Sequence, residues 1–282
     1  MANITHAVAK MSAAGKLAAA DAGVQDTLAA LEQRVVRATS DMNDYDVSNT
    51  FYAFALLGRT PGAAARAALE VAVVRVGPAM NAQDAANTAW SFATLGLMPG
   101  AEARATLEAA VVRVGPAMNA QHAANTAWSF ATLGLTPGAE AQAGLEAALV
   151  RVGPSMDPQA VANTAWGFAT LGLMPGAETR AALEVAVVRV GSAMNEQGVT
   201  NTVLAYATLG MTPGAEARTA IEAAVVRVGP SMTPQALANT LWSFPTLAAT
   251  RSLPLPACYP SLWRLAHGLD VGFSKDAELR MR

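Results

Sequence analysis

The stretch ANTAWSFATLG occupies residues 86–96, returns unchanged at 124–134, and reappears as ANTAWGFATLG at 162–172. Its asparagine recurs every 38 residues, at Asn49, Asn87, Asn125, Asn163, Asn201 and Asn239. A fixed period of this length is typical of proteins in which one small structural unit stacks on the next. The period therefore predicts an all-α fold, an α-solenoid of stacked 38-residue helix–turn–helix repeats.

Each repeat is predicted to contain two short helices. In residues 98–135, Pro99 and Gly100 precede a first helix that ends near Val114, where Gly115 and Pro116 follow. The second helix is predicted to start at Asn119, whose side chain can accept N–H groups of the first turn, and to end near Leu133. The same cap position is occupied by Asn43, Asn81, Asp157, Asn195 and Thr233. The first helix is expected to bury one stripe, formed by Ala103, Leu107, Ala110 and Val114.

The period divides the 282 residues into three parts. Residues 1–24 are interpreted as a partial N-terminal repeat and linker, and residues 25–249 as six helical-hairpin repeats. Residues 250–282 are a non-repeat segment that is a candidate cap for the last repeat. Pro245 is expected to bend or stop the last second helix, because proline removes a backbone hydrogen bond.

Composition argues against several classes of function. Only 14% of residues are charged and 52% are apolar, yet polar residues and Pro-Gly turns interrupt every uncharged stretch before it reaches membrane-spanning length. Cys258 is the single cysteine, and His6, His122 and His267 are far apart in sequence. No glycine-rich phosphate loop or nucleophile motif is present. We therefore expect no catalytic residues, no metal, no cofactor, no small-molecule substrate and no membrane partner.

The helical pair with Ala-Asn-Thr-x-Trp-x-Phe-Ala-x-Leu-Gly in its second helix resembles the octotricopeptide repeat proteins of algal and other eukaryotic organelles. It is also similar to the repeats that precede the RAP domain in FAST kinase-like proteins. The resemblance covers about residues 25–249, with Tyr52 and Leu204 where tryptophan is usual. It implies a right-handed superhelix that binds single-stranded RNA and supports processing, stability or translation of organellar transcripts.

The same resemblance implies a location in the chloroplast or mitochondrion. The chain carries no targeting peptide ahead of its partial first repeat and no RAP domain after its last one, and is therefore interpreted as a truncated fragment. A full-length protein with this sequence is expected in the cytoplasm.

A row of arginines is the first candidate RNA contact. These residues recur near the end of each first helix and could grip successive phosphates. The alternatives are a cation at a helix C-terminus or a pair with a nearby glutamate. The row consists of Arg37, Arg75, Arg113, Arg151, Arg189 and Arg227.

A polar strip on the second helices is the second candidate. In one repeat the strip is predicted to contain His122, Asn125, Ser129 and Thr132, at helical spacing. Its asparagines could line a groove and bind a base edge or, alternatively, an extended peptide backbone. The latter would make the protein a peptide-binding scaffold. A structural alternative is that these amides tie one repeat to the next.

Two further features are open to two interpretations. Trp90, Trp128, Trp166 and Trp242 are expected in the core, with base stacking as the alternative. Asp46, Asp84 and His122 occupy a site that varies between repeats and are candidate base-reading residues, with unconstrained drift as the alternative. A formal net charge of −2 argues against a strongly basic RNA-binding face.

Overall fold

A computed structural model describes residues 22–251 and 254–268. This part of the chain contains thirteen α-helices, joined by turns and short 3₁₀ segments. It divides between Ala148 and Leu149 into two compact units, which are described separately below. Nearly all of the predicted partial repeat at 1–24 lies outside the described residues.

Two kinds of helix alternate along the chain, the first and second helix of each hairpin. The first, or A, helices are α1 (Ala22–Ala38), α3 (Ala63–Val76), α5 (Ala101–Val114), α7 (Ala139–Val152), α9 (Ala177–Val190) and α11 (Ala215–Val228). The second, or B, helices are α2 (Asp44–Leu56), α4 (Ala82–Thr94), α6 (Ala120–Thr132), α8 (Pro158–Leu171), α10 (Glu196–Thr208) and α12 (Pro234–Arg251). A last helix, α13 (Tyr259–Gly268), follows the repeats.

Helices pack on their neighbours in chain order within each unit. In the first unit α4 lies between α2 and α6, and in the second unit α10 lies between α8 and α12. The A helices also pack in sequence, but less extensively than the B helices. This sequential stacking of hairpins confirms the predicted all-α, solenoid-type fold. The handedness of a superhelix stays a prediction.

Side chains cap the start of every B helix as predicted. The Asn119 carboxamide oxygen accepts the backbone N–H of His122 at 2.8 Å, and Asp157 accepts that of Ala160 at 2.7 Å. Thr233 caps α12 through its hydroxyl, at 3.2 Å from the nitrogen of Ala236. The predicted helix ends near Val114 and Leu133 are also confirmed. The buried stripe of α5 is confirmed at all four positions.

Glycines at the A-to-B turns allow neighbouring hairpins to approach closely. A Cβ atom built on Gly115 would lie 3.1 Å from the carbonyl oxygen of Gly144 in the next A helix. In the second unit, a Cβ on Gly153 would lie 3.0 Å from the Cβ of Ala182. Because backbone or short side chains are in the way, larger residues here would separate adjacent hairpins.

The A helices after α1 begin at a glycine that has no side chain to cap the helix, and a glutamate of the preceding hairpin supplies the missing acceptor. Glu70 accepts the backbone N–H of Gly100 at 3.0 Å, and Glu108 accepts that of Gly138 at 2.9 Å. An arginine one turn earlier holds each carboxylate, with Arg104 Nε 2.8 Å from Glu108 Oε1. Arg104 also donates to the carbonyl of Thr136. These contacts form a clamp between hairpins.

The last hairpin departs from the pattern at its C-terminal side. Helix α12 continues through Pro245 to Arg251, so of the two predicted effects of this proline the stop is wrong and the bend stays a prediction. Burial of Leu247 extends the packed face past the lost hydrogen bond. Helix α13 packs on α12, and Leu262 approaches Gly229 as A helices approach the turn glycines elsewhere. It thus covers part of the last hairpin.

Candidate ligand-binding strip on the B helices

One face of each B helix is left uncovered by its neighbours. In α4 this face contains Gln83, Asn87, Trp90 and Thr94, at spacings of four, three and four residues. Such spacing places side chains on a single helical face. The equivalent residues of the other B helices have the same pattern of partial or full exposure, with one exception in the first hairpin, where Asn49 is buried. We call this set the B-face strip and describe it within each unit.

The tryptophans belong to this strip rather than to the core. Trp90, Trp128 and Trp166 are half-buried, and Trp242 is 47% exposed. The core prediction for these residues is therefore wrong. The phenylalanine two positions later fills the space between helices instead, since Phe92 and Phe130 are almost fully buried. Two residues along a helix correspond to a rotation of about 200°, so the tryptophan projects away from the buried phenylalanine and toward the surface.

The strip asparagines have unused amide groups. In the described part of the chain, the side chains of Asn87 and Asn125 in the first unit make no hydrogen bond with protein atoms. The same holds for Asn163, Asn201 and Asn239 in the second. Only Asn49 bonds its Nδ2, to the carbonyl of Tyr45 in its own helix. The structural alternative, in which these amides tie repeats together, is not observed.

The predicted polar line is split by the packing. Asn125 and Thr132 lie on the strip, but Ser129 is fully buried and donates to the carbonyl of Asn125 at 2.6 Å. Ser91 makes the same bond to Asn87. A hydroxyl satisfied by its own helix can be buried without a partner from another repeat. The serines are therefore removed from the candidate ligand contacts.

The variable site lies between B helices. Asp84 is only 2% exposed, accepts from the Ser48 hydroxyl at 2.7 Å, and caps its own helix. This burial corrects the prediction that Asp84 reads a base. Asp46 and His122 are partly exposed, and their base-reading role stays a prediction. Burial lowers the pKa of His122, and the nearby charge of Asp84 partly opposes this.

The guanidiniums of the arginine row lie near the starts of the B helices. Arg75 donates to the carbonyls of Thr39 and Met42 at 2.7 and 2.6 Å, and Arg113 donates to those of Gly77 and Met80. In the second unit Arg189 bonds the carbonyl of Met156, and Arg227 bonds those of Gly191 and Met194. Each of these four guanidiniums thus joins its A helix to the A-to-B turn of the preceding hairpin. The arginine side chains remain exposed.

These bonds use only one nitrogen of each guanidinium. For Arg75 and Arg113 the bonds come from Nη2, and Nε and Nη1 have no partner among the described residues. Arginine has five N–H donors in a planar fork, so several remain for an external acceptor. Arg37 and Arg151 are also exposed at the surface.

Aromatic rings lean on one another in the first unit. The ring centroids of Tyr52 and Trp90 are 5.1 Å apart and inclined at 46°. Inserting a flat base between two rings requires roughly twice the stacking distance of about 3.5 Å, so this gap is closed. A ligand ring can therefore contact only the outward part of these side chains.

Fold and strip together define an all-α protein of stacked helical hairpins, with an uncharged surface of amides and indoles on its B helices. No family model matches the chain, and no curated protein is significantly similar to it. Within the described ranges, no helix has both the length and the apolar character needed to cross a bilayer. Those ranges also contain no group of three His, Cys, Asp or Glu side chains placed to hold a metal ion.

Proposed function

We propose that this protein is a non-catalytic scaffold that binds single-stranded RNA along the B-face strip of each unit. The observation that carries the proposal is the row of half-buried amides without protein partners beside partly exposed indoles. These amides are accessible to solvent, and a ligand that replaces water there can satisfy both the donor and the acceptor of each.

The strip has the chemistry that single-stranded nucleic acid requires. Indole faces stack on any base, and such stacking contributes about 1–3 kcal/mol per base. Asparagine and glutamine amides can pair with base edges, and helical-repeat proteins bind about one base per repeat. The remaining donors of Arg75 and Arg113 lie beside the first turn of the B helices, where a phosphate could be bound.

A location in the chloroplast or mitochondrion, and a role in transcript processing, stability or translation, are part of this proposal. They rest on the resemblance to octotricopeptide and RAP-related repeats alone.

The test is filter binding of a random single-stranded RNA pool by the full chain. Replacing Trp90 and Trp166 by alanine removes one indole from each unit and is expected to weaken retention by at least about tenfold. The matched control replaces Val71 and Val185 by alanine, since these side chains are 70% and 61% exposed on A helices, away from the strip. Equal retention by both variants would reject RNA binding on the strip.

A second candidate is a scaffold for an extended peptide. It is favoured by the arginine geometry, because the guanidiniums of Arg75, Arg113, Arg189 and Arg227 bond protein carbonyls. The side chains of the strip are also largely uncharged, and amides bind a peptide backbone as well as a base. Retention of RNA that does not fall with added salt, together with capture of unfolded peptides, would favour this candidate.

A further inference from the structure

The clamp between hairpins is open in one place. In α3, α5 and α11 the clamp arginine pairs with a glutamate four residues later, at 2.7–2.8 Å. Arg180 holds the same position in α9, but its side chain makes no hydrogen bond or ion pair with any described residue. Its expected partner, Glu184, keeps only the backbone N–H of Gly214, at 3.2 Å from Oε2. Both charges of this pair are therefore available to a ligand.

The open pair lines a cleft in the second unit with a volume of about 310 Å³. It is lined by α8, α9, α10 and the turn after α10, and its apolar lining includes Val161, Leu183, Val187 and Met211. A volume of this size lies at the lower end of the range for small-ligand sites. The cleft thus combines an apolar interior with two opposite, unpaired charges.

A hydroxyl is added to the cleft by a residue peculiar to this hairpin. Tyr206 lines the cleft and replaces the phenylalanine found at Phe54, Phe92, Phe130, Phe168 and Phe244. It is 4% exposed, and its hydroxyl has no hydrogen-bond partner among the described residues. Burial, with a smaller contribution from the charge of Glu184, raises the pKa of this phenol. The hydroxyl stays protonated at neutral pH and can donate to an anion.

We propose that this cleft binds a free apolar α-amino acid as its zwitterion. Arg180 and Tyr206 bind the carboxylate, Glu184 binds the ammonium group, and the side chain packs on the apolar walls. A ligand with one charge would leave the opposite protein charge unpaired in the cleft, whereas a zwitterion satisfies both. Ligand binding competes only with formation of the ion pair between Arg180 and Glu184. Such an exposed i,i+4 pair stabilises a helix by about 0.3–0.5 kcal/mol.

This inference does not depend on the B-face strip or on RNA. It differs from the expectation, drawn from composition, that the protein has no small-molecule ligand. That expectation rested on the absence of known binding motifs in the sequence. A single arginine left unpaired in one of several similar repeats does not form a sequence motif.

The test is isothermal titration calorimetry of the full chain with L-leucine and L-phenylalanine. Saturable binding is expected for at least one of them. It should be absent or at least about tenfold weaker for 4-methylpentanoate, which lacks the ammonium group, and for 3-methylbutylamine, which lacks the carboxylate. No saturable binding of either amino acid up to about 10 mM would overturn the proposal.

Substitutions taken from the other hairpins provide matched variants. Arg180→Gln introduces the residue found at Gln142, and Tyr206→Phe introduces that found at Phe168. Each is expected to weaken binding about tenfold. Arg104→Gln, in a hairpin whose pair is closed, should leave binding unchanged. Binding that survives both Arg180→Gln and Tyr206→Phe would overturn the proposal.

An additional variant covers the case in which one of these proteins does not fold, as judged by circular dichroism. Ala181 lines the cleft from an exposed position of α9. Ala181→Leu should fill part of the cleft and abolish binding of the larger amino acid without touching the core. Unchanged binding in this variant would place the ligand elsewhere and overturn the proposal.

Discussion

At the scale of single residues, the direction in which a polar group faces decides whether it can bind a ligand. Asn87 and Ser91 are four residues apart in one helix, yet only the asparagine has a free polar group on the strip. Serine can bond the carbonyl four residues earlier, so its burial between neighbouring helices costs little. Asn87 does not make that bond and keeps its amide at the surface, whereas Asn49 bonds the carbonyl of Tyr45 and is buried.

His122 provides a residue-scale prediction about pH. Burial lowers its pKa below the ordinary value of 6.5, so the folded protein binds this proton less tightly than the unfolded chain does. The contribution to stability is therefore complete above pH 6.5 and is lost as the pH falls below it. His122→Ala introduces the residue found at Ala160 and Ala236. This variant should lose less stability than the wild-type protein on mild acidification.

Chemical denaturation above and below pH 6.5, at values where carboxylates stay ionised, measures this effect. The wild-type midpoint should fall more than the midpoint of His122→Ala. An equal fall in the midpoints of both proteins would show that protonation of His122 does not contribute to the pH dependence of stability. Asp84 faces His122 and attracts its proton, so Asp84→Asn should steepen the dependence.

At the scale of helices, the two kinds of helix start differently. B helices begin with a capping side chain of their own, such as Asn81 or Asn119. The A helices after α1 begin at a glycine, and an acceptor comes from a glutamate 30 residues earlier, such as Glu108 for Gly138. An A helix is thus completed only when the preceding hairpin is folded. This coupling is expected to make neighbouring hairpins unfold together.

Removal of one such acceptor tests the coupling. Glu108→Ala leaves the N–H of Gly138 without its cap and should reduce the free energy of unfolding by about 1 kcal/mol. Glu102→Ala is the matched control, because Glu102 is exposed on the same helix and its side chain makes no such bond. Its effect should stay within about 0.5 kcal/mol. Equal effects in a denaturation series would contradict the clamp.

At the scale of the whole chain, charge limits what the protein can bind. A net charge of −2 provides little long-range attraction for RNA, so binding must rely on local donors. The arginine row is the local source of positive charge beside the strip. Because its guanidiniums also bond protein carbonyls, substitution there affects stability and ligand binding together.

Replacing Arg113, Arg189 and Arg227 together by glutamine separates these effects. Each lost guanidinium–carbonyl contact should lower stability by about 1 kcal/mol, discounted for exposure. If RNA phosphates bind there, the slope of log affinity against log salt should fall by about 2, at about 0.7 for each contact. Arg34→Gln, at an exposed position outside the row, is the control. A lower stability with an unchanged salt slope would reject the phosphate contacts.

The amino-acid sequence by itself determined the period, the helix boundaries and the capping residues. These features depend on interactions within one or two helical turns, so Asn119, Gly115 and the stripe from Ala103 to Val114 could be placed correctly. Only the tertiary structure decided which groups are free, because the atoms that cover a residue belong to hairpins about 38 residues away. Trp90 at the surface, Asp84 in the interface and the open position of Arg180 all follow from that packing.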